Sequence, residues 1–292
     1  MVAIVSMTGY GVASRDFVHG ALSLEIKGVN SRYLDIVFRV NDEMRALEQT
    51  LRDLVSAAVT RGKVELRLGY GRDAGGRAGR SLSVNEAMVR SLVGAQAQVR
   101  ALAPEAGLLG VRDILDWPGV LEDAHLPQDV LRETVLELAA NALAQFGASR
   151  EREGAKLADM LLSRADAIAE WVARIEPRIP QVVAEQHARL ATRLREALGS
   201  LDDERVRQEI ALFGIRVDVA EELSRLSAHL AEVRRVISRG GPCGKRLDFL
   251  MQELHREANT LGSKSVSTEV SAGAMEIKIL IEQMREQVQN IE

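Results

Sequence analysis

The stretch RLDFLMQELHREANTLGSKS, residues 246–265, decides how the C-terminal half of the chain is interpreted. Its apolar residues recur every three or four positions, which is the spacing of a helix that buries one face. They are Leu247, Leu250, Met251, Leu254, Ala258 and Leu261. The polar residues fall on two flanks of that face. The carboxylate flank holds Arg246, Glu253, Glu257 and Lys264, and the histidine flank holds Asp248, Gln252, His255 and Asn259.

A second polar stripe precedes this helix, on the other side of a glycine-rich break. The segment GGPCGKR, residues 240–246, predicts a helix stop and restart, because Gly and Pro are both unfavourable inside helices. Before it, DVAEELSRLSAHL spaces polar side chains four, three and four residues apart along one helix face. They are Asp218, Glu222, Arg225 and His229. If the two helices form a hairpin, Glu222 and His229 face Glu253 and Glu257.

Carboxylates and an imidazole that converge in this way would suit a divalent cation. Mg²⁺ and Mn²⁺ prefer oxygen ligands, and Mn²⁺ also accepts an imidazole nitrogen. A bound ion would lower the pKa of a coordinated water and hold phosphate oxygens. The alternative is a solvated helix surface, since Glu and Arg at this spacing form surface ion pairs worth about 0.2–0.5 kcal/mol each. Spacing alone favours that alternative.

The N-terminal part of the chain has the alternating pattern of strands. Residues 1–70 alternate in the manner of strands, for example in ALSLEIKGVN, RYLDIVFRV and RGKVELRLGY, except that residues 42–60 have helical spacing. This order predicts a β-β-β-α-β module. Polar and aromatic side chains stand at the strand entrances: Arg32, Tyr33, Arg61 and Lys63. Such groups can hold RNA phosphates and stack a base. The alternative is that Tyr33 belongs to the core and the basic residues are ordinary turn charges.

The fold class predicted from these patterns is α+β. Residues 1–125 are expected to form an N-terminal mixed α/β domain with a small sheet, and residues 126–292 a C-terminal domain of long helices. The last helix has apolar residues at intervals of four and three, typical of a coiled-coil seam. They are Val270, Ala274, Ile277, Ile281, Met284, Val288 and Ile291. The seam predicts a partner helix in the same chain or in another subunit, and so favours an oligomer.

Composition and charge narrow the classes of function. The 292 residues carry 38 Lys and Arg against 42 Asp and Glu, a net charge of −4, which argues against a generic charge-driven nucleic-acid coat. Residues 1–80 are nevertheless basic, at +3, and the remainder is acidic, at −7. One cysteine, Cys243, excludes an internal disulfide framework and fits a reducing cytoplasm. No signal peptide and no run of membrane-spanning length is expected.

Blocks distributed over nearly the whole chain carry a family resemblance. In order they are SMTGYG, VNSRYLDI, TRGKVE, WPGV, REREG, DVAEELSRLSAHL, GKRLDFLMQELHREANTLGSKS and MEIKILIEQMREQVQNIE. With these blocks the sequence resembles the YicC/YloC family of bacterial endoribonucleases. The resemblance implies an N-terminal α/β domain, a C-terminal helical domain, a hexamer that encloses RNA, and metal-dependent RNA cleavage.

The resemblance also implies which residues form the site. Glu222, His229, Glu253 and Glu257 match family positions and are expected to hold the ion. Arg225, Arg256 and Lys264 match as well and are expected to steady the phosphate in the transition state. The family usually has Asn at the position of His255. His255 is therefore not expected to be an essential base, although it is the residue of the opening stretch that most resembles one.

The main hypothesis is a cytoplasmic endoribonuclease that depends on Mg²⁺ or Mn²⁺ and cleaves single-stranded or structured RNA within a ring-like homo-oligomer. Arg32, Tyr33, Arg61 and Lys63 would guide the RNA. A variant without metal has His229 deprotonate a ribose 2′-OH. Two alternatives are not enzymes: an RNA-binding ring or adaptor that delivers RNA to another nuclease, and a purely structural coiled-coil assembly.

Overall fold

The structure is a computed structural model, and it describes residues 3–17, 20–71, 84–121, 127–198 and 219–292. Its N-terminal part holds a four-stranded sheet with the spatial order β1-β2-β4-β3. The strands are β1 (Gly9–Phe17), β2 (Gly20–Val29), β3 (Leu34–Val40) and β4 (Gly62–Gly71). β1 with β2 and β2 with β4 pair antiparallel, whereas β3 and β4 are parallel. The predicted β-β-β-α-β order is confirmed.

A crossover connects the two parallel strands, as parallel pairing requires. It consists of a 3-10 helix (Asp42–Leu47) and helix α1 (Glu48–Ala58), so the predicted single helix over 42–60 begins with a tighter turn. Alternate strand residues face the helices and are fully buried: Leu22, Leu24, Ile26, Val64, Leu66 and Leu68. The helix α2 (Glu86–Leu102) and the short α3 (Val111–Leu115) follow β4. Asn85 caps α2 by accepting a hydrogen bond from the Met88 amide.

The rest of the described chain is helical. Its elements are α4 (Gln128–Ile175), a 3-10 turn (Glu176–Arg178), α5 (Ile179–Leu198), α6 (Ala220–Arg239), α7 (Gly244–Lys264) and α8 (Thr268–Val288). The 3-10 turn contains Pro177, and Pro180 lies in the first turn of α5. The α+β fold class is therefore confirmed. No helix in the described ranges is both long and apolar enough to cross a bilayer.

Helix α4 belongs to two hydrophobic cores. Its first half packs Val135, Leu138, Ala142 and Phe146 against the sheet. Its second half joins the core formed by α6, α7 and α8, with apolar residues from Leu157 to Ile175. The predicted domain boundary at residues 125 and 126 lies outside the described residues. Around Gly154, in the REREG block, a Cβ would overlap the Ile4 carbonyl oxygen, so glycine allows the N-terminal segment to reach the helix.

The predicted seam of α8 is satisfied within the chain. All seven of its apolar residues are buried, in contact with the core that α4 and α7 also form. The partner helix that the seam requires is thus supplied by the same chain, and the seam itself gives no support to an oligomer.

Candidate active site

Helices α6 and α7 form an antiparallel hairpin, as the glycine-rich break predicts. Gly240 and Gly241 adopt φ values of 69° and 78°, which residues with a Cβ rarely adopt, so the reversal depends on them. The amides of Cys243 and Gly244 at the start of α7 donate to the Glu292 carbonyl oxygen, at 3.0 and 3.2 Å. Cys243 is buried and desolvation raises the pKa of its thiol, as expected for a packing residue.

Three of the predicted site residues converge between the two helices. His229 on α6 and Glu253 and Glu257 on α7 each offer one potential ligand atom, and these atoms lie within 4.8 Å of one another. Glu257 is only 2% exposed, whereas His229 and Glu253 are half-buried. Two carboxylates and one imidazole at this separation fit a divalent cation such as Mn²⁺ or Mg²⁺. We call these three residues the trio.

Two arginines lie against the carboxylates of the trio. Nη2 of Arg256 is 2.9 Å from Glu253 Oε2 and 3.0 Å from Glu257 Oε1. Arg225 approaches Glu257 Oε1 less closely, at 3.7 Å, and also pairs with Glu221 on its own helix at 2.5 Å. The hydrogen bond to Glu257, assisted by the charge of Glu253, raises the pKa of Arg256 above its ordinary value. Both predicted phosphate-binding arginines thus lie at the trio.

The structure separates Glu222 from the trio. Glu222 lies two helical turns before His229, and its Oε1 accepts from Lys264 Nζ at 2.9 Å. The residue is 6% exposed, and its Oε2 has no hydrogen-bond partner among the described atoms. Asp218, the first residue of the predicted stripe, lies outside the described residues. The Glu222–Lys264 pair therefore bridges the open end of the hairpin, and the trio lies between it and the glycine turn.

A second bridge closes the other end and was missed by the sequence interpretation. Glu232 on α6 accepts from Nε and Nη2 of Arg235, each at 2.7 Å, and from Nη2 of Arg246 on α7 at 3.3 Å. These arginines, Arg235 foremost, lower the pKa of Glu232 to about 2. The stripe of α6 continues from His229 to Glu232 at a three-residue interval, so the helical spacing contained the signal.

The histidine flank of α7 makes a different set of contacts. Gln252 donates to Asp248 at 2.9 Å, and the Asn259 amide lies 3.0 Å from His255 Nδ1. Both pairs connect residues four apart on the same helix. His255 therefore bonds within its own flank and is not part of the trio.

Three of the four predicted RNA-guiding residues line a groove between the N-terminal module and α7. The groove has a volume of about 860 Å³, and its lining includes Arg32, Tyr33, Arg61, Lys245 and Asp248. Tyr33 is 70% exposed, which rules out the alternative that it belongs to the core. The Arg32 guanidinium lies 5.4 Å from the centre of its ring, and Arg61 Nε donates to the Ser31 carbonyl oxygen at 3.1 Å.

Lys63 differs from the other three predicted RNA contacts. It lies outside the groove lining, exposed on β4 between the register partners Val29 and Asp35. Lys245 takes its place as a basic residue of the groove. It is in the first turn of α7, about 12 Å along the helix axis from Glu253. The groove therefore opens near the hinge end of the hairpin that carries the trio.

Known proteins match this chain over nearly its whole length. The family model described as Endoribonuclease YicC-like, N-terminal region, matches residues 4–159, and the one described as Endoribonuclease YicC-like, C-terminal, matches residues 175–292. The chain is 39% identical over 289 residues to a probable endoribonuclease YicC of Haemophilus influenzae, covering 99% of this chain and 100% of that protein. It is 28% identical over 293 residues to a probable endoribonuclease YicC of Clostridioides difficile, with 99% of each chain covered. The chain therefore belongs to the YicC-like family of endoribonucleases, which confirms the resemblance inferred from its sequence blocks.

Proposed function

We propose that this protein is a divalent-metal-dependent endoribonuclease whose reaction centre is the trio of His229, Glu253 and Glu257. The observation that carries the proposal is that three potential ligand atoms, on helices α6 and α7, lie within 4.8 Å of one another. The chain that places them there belongs to a family of endoribonucleases. Oxygen ligands with one imidazole favour Mn²⁺ or Mg²⁺. Such an ion, when bound, activates water and neutralises charge on phosphate oxygens.

The chain's own residues supply the remaining tasks of phosphodiester cleavage. Arg225 and Arg256 border the trio and are half exposed, so their guanidinium groups can hydrogen-bond a phosphate as its negative charge grows. Lys264 adds a positive charge near the open end of the hairpin, and Glu222 holds it in place. We assign Glu222 to positioning Lys264 rather than to the direct ligand set, because Lys264 already occupies one of its oxygens.

The groove beside Tyr33 supports single-stranded RNA as the substrate. Arg32, Arg61 and Lys245 would pair with backbone phosphates, and the exposed ring of Tyr33 would stack a base. Lys63, exposed on the sheet, would contact RNA beyond the groove. We further propose that the protein acts in the cytoplasm as a ring-like homo-oligomer, a hexamer in the form implied by the family, so that several grooves surround one RNA.

Removal of divalent metal tests this function. Cleavage of a labelled RNA by the purified protein should stop in excess EDTA and return when Mn²⁺ or Mg²⁺ is added in excess of the chelator. Equal cleavage with and without EDTA would exclude the metal mechanism. An RNA with a 2′-deoxy group at the cut site then distinguishes the main proposal from the alternative mechanism in which His229 deprotonates the ribose 2′-OH. Only that alternative requires the 2′-OH, so only it predicts that this RNA is not cleaved.

A further inference from the structure

The contacts of Arg256 lead to an inference about how the trio acquires its metal. The Arg256 guanidinium bonds one oxygen of Glu253 and one of Glu257, the two carboxylates of the trio. A second arginine, Arg225, approaches the same oxygen of Glu257. A positive charge thus lies where the carboxylates would otherwise attract a cation. Arg256 and a divalent ion compete for the same two side chains.

Burial makes this competition consequential. The Glu257 side chain is 3% exposed, so its charge needs a partner in either state. Arg256, by contrast, has 60% of its side chain exposed and can turn outwards without opening the core. The guanidinium also matches a phosphate as well as a carboxylate, since both offer paired oxygen acceptors. The Arg256 side chain can therefore turn away from the trio and bind an RNA phosphate on the solvent side of the hairpin.

We propose that Arg256 is a partner-exchanging residue: it neutralises Glu253 and Glu257 in the protein without RNA, and releases them to the metal when an RNA phosphate takes its guanidinium. This proposal rests on the proposed metal site. It makes RNA binding and metal binding mutually reinforcing, because each ligand frees the group that the other needs, and such coupling is reciprocal. Metal affinity is held low until substrate is present, which limits occupation of the site without RNA.

The first test measures Mn²⁺ binding to the full chain without RNA, by calorimetry or by the electron paramagnetic resonance signal of free Mn²⁺. Arg256→Gln should bind Mn²⁺ at least about threefold more tightly than the wild type, because two carboxylates lose a competing ion pair. Arg225→Gln should have a smaller effect, since its contact with Glu257 is longer. Arg90→Gln, which breaks an exposed pair with Glu86 on α2, is the matched control and should leave the affinity unchanged.

Unchanged or weaker Mn²⁺ binding by Arg256→Gln would overturn the exchange proposal. Failure of the metal site itself has a different signature. In that case the wild type binds Mn²⁺ no better than the Glu253→Gln/Glu257→Gln variant does. The two failures are thus distinguished by whether the wild type has a site that depends on the carboxylates.

The second test measures the coupling. Fluorescence anisotropy gives the affinity of a labelled 2′-O-methyl oligonucleotide with and without Mn²⁺, and a gel confirms that the probe stays intact. Mn²⁺ should tighten binding more in the wild type than in Arg256→Gln, because the variant's carboxylates are already released. An equal gain in both proteins would show that Arg256 does not link the two ligands, and would also reject the proposal.

Discussion

The two polar flanks of α7 both follow helical spacing, but their contacts differ. On the histidine flank, Gln252 pairs with Asp248 and Asn259 with His255, all within one helix. On the carboxylate flank, residues reach across to α6: Arg246 to Glu232, and Lys264 to Glu222. Pairs within a helix form wherever the helix forms. Pairs across a hairpin instead fix the position of a second helix and create a space between the two.

This difference explains why charge alone is a poor guide to a site. Isolated pairs four residues apart contribute a few tenths of a kcal/mol and require no tertiary structure. Carboxylates on and opposite the carboxylate flank are buried: Glu257 is 2% exposed, and Glu222, the α6 partner of Lys264, is 6% exposed. Placing ionised groups in such surroundings costs free energy, and a cluster of them is more readily explained by chemistry than by stability.

The largest expected effect separates the flanks by activity. Glu253→Gln/Glu257→Gln should lower RNA cleavage at least about a hundredfold, equivalent to about 2.7 kcal/mol of transition-state stabilisation, because the trio loses both negative charges. His255→Asn, on the histidine flank, should change cleavage less than about twofold, since its ring bonds only Asn259 among the described side chains.

Single-turnover cleavage of one labelled RNA by both variants is the measurement, with circular dichroism to confirm folding. If the double variant retains wild-type cleavage, the activity comes from elsewhere or from a contaminating nuclease, and a non-catalytic RNA-binding ring becomes the better interpretation. A comparable loss in both variants would remove the distinction between the flanks.

A smaller effect should separate the flanks by stability. Lys264→Met leaves the buried Glu222 carboxylate without its ion-pair partner and should lower the free energy of unfolding by about 1–3 kcal/mol. Gln252→Met on the histidine flank removes the exposed amide that bonds Asp248 and keeps a side chain of similar length. It should lower the free energy of unfolding by less than about 0.5 kcal/mol. Urea denaturation measures both changes.

A double variant checks the cause of that loss. Glu222→Met/Lys264→Met removes both partners and should recover most of the stability lost in Lys264→Met, as replacing both members of a buried pair by apolar groups often does. If the double variant is less stable than Lys264→Met, lost packing rather than an unpaired carboxylate is responsible.

The smallest expected effect concerns pH at the hinge end of the carboxylate flank. The pKa of Glu232 is lowered from 4.5 to about 2, so its pairs with Arg235 and Arg246 stabilise the folded state fully only above about pH 4.5. That contribution falls as the pH decreases from 4.5 towards 2, because Glu232 is protonated first in the unfolded chain and, near pH 2, in the folded protein as well. The difference in melting temperature between wild type and Glu232→Gln should therefore shrink between pH 7 and pH 3. A difference that stays constant or grows over this range would assign the role of Glu232 to packing.

Much of this arrangement follows from local sequence. The alternation of Val64, Leu66 and Leu68 predicts a strand, and the glycines at 240 and 241 predict the reversal that brings α6 onto α7. The trio follows once the hairpin is assumed, because four-residue spacing fixes which side chains share a face. These inferences need only the geometry of one helix or one strand.

What the sequence did not reveal depends on distant contacts. Spacing alone grouped Glu222 with His229, but Glu222 pairs with a lysine 42 residues further along the chain and is not part of the trio. The groove beside Tyr33 combines a loop of the sheet with the first turn of α7, so neither segment predicts it. Pairing of Arg256 with both Glu253 and Glu257 depends on rotamers that any surface helix could also have adopted.

The 48-residue helix α4 shows that units of sequence similarity need not be units of folding. The N-terminal family match ends at residue 159 and the C-terminal match begins at residue 175, so the interval between them lies wholly inside this helix. That interval supplies Leu161, Ala165, Ile168 and Val172 to the core beneath the α6–α7 hairpin. A fragment that starts at residue 175 would carry every member of the trio yet lack one wall of the core that holds them together. The reaction centre is encoded in the C-terminal family region, but its rigidity is shared with a helix that begins on the sheet.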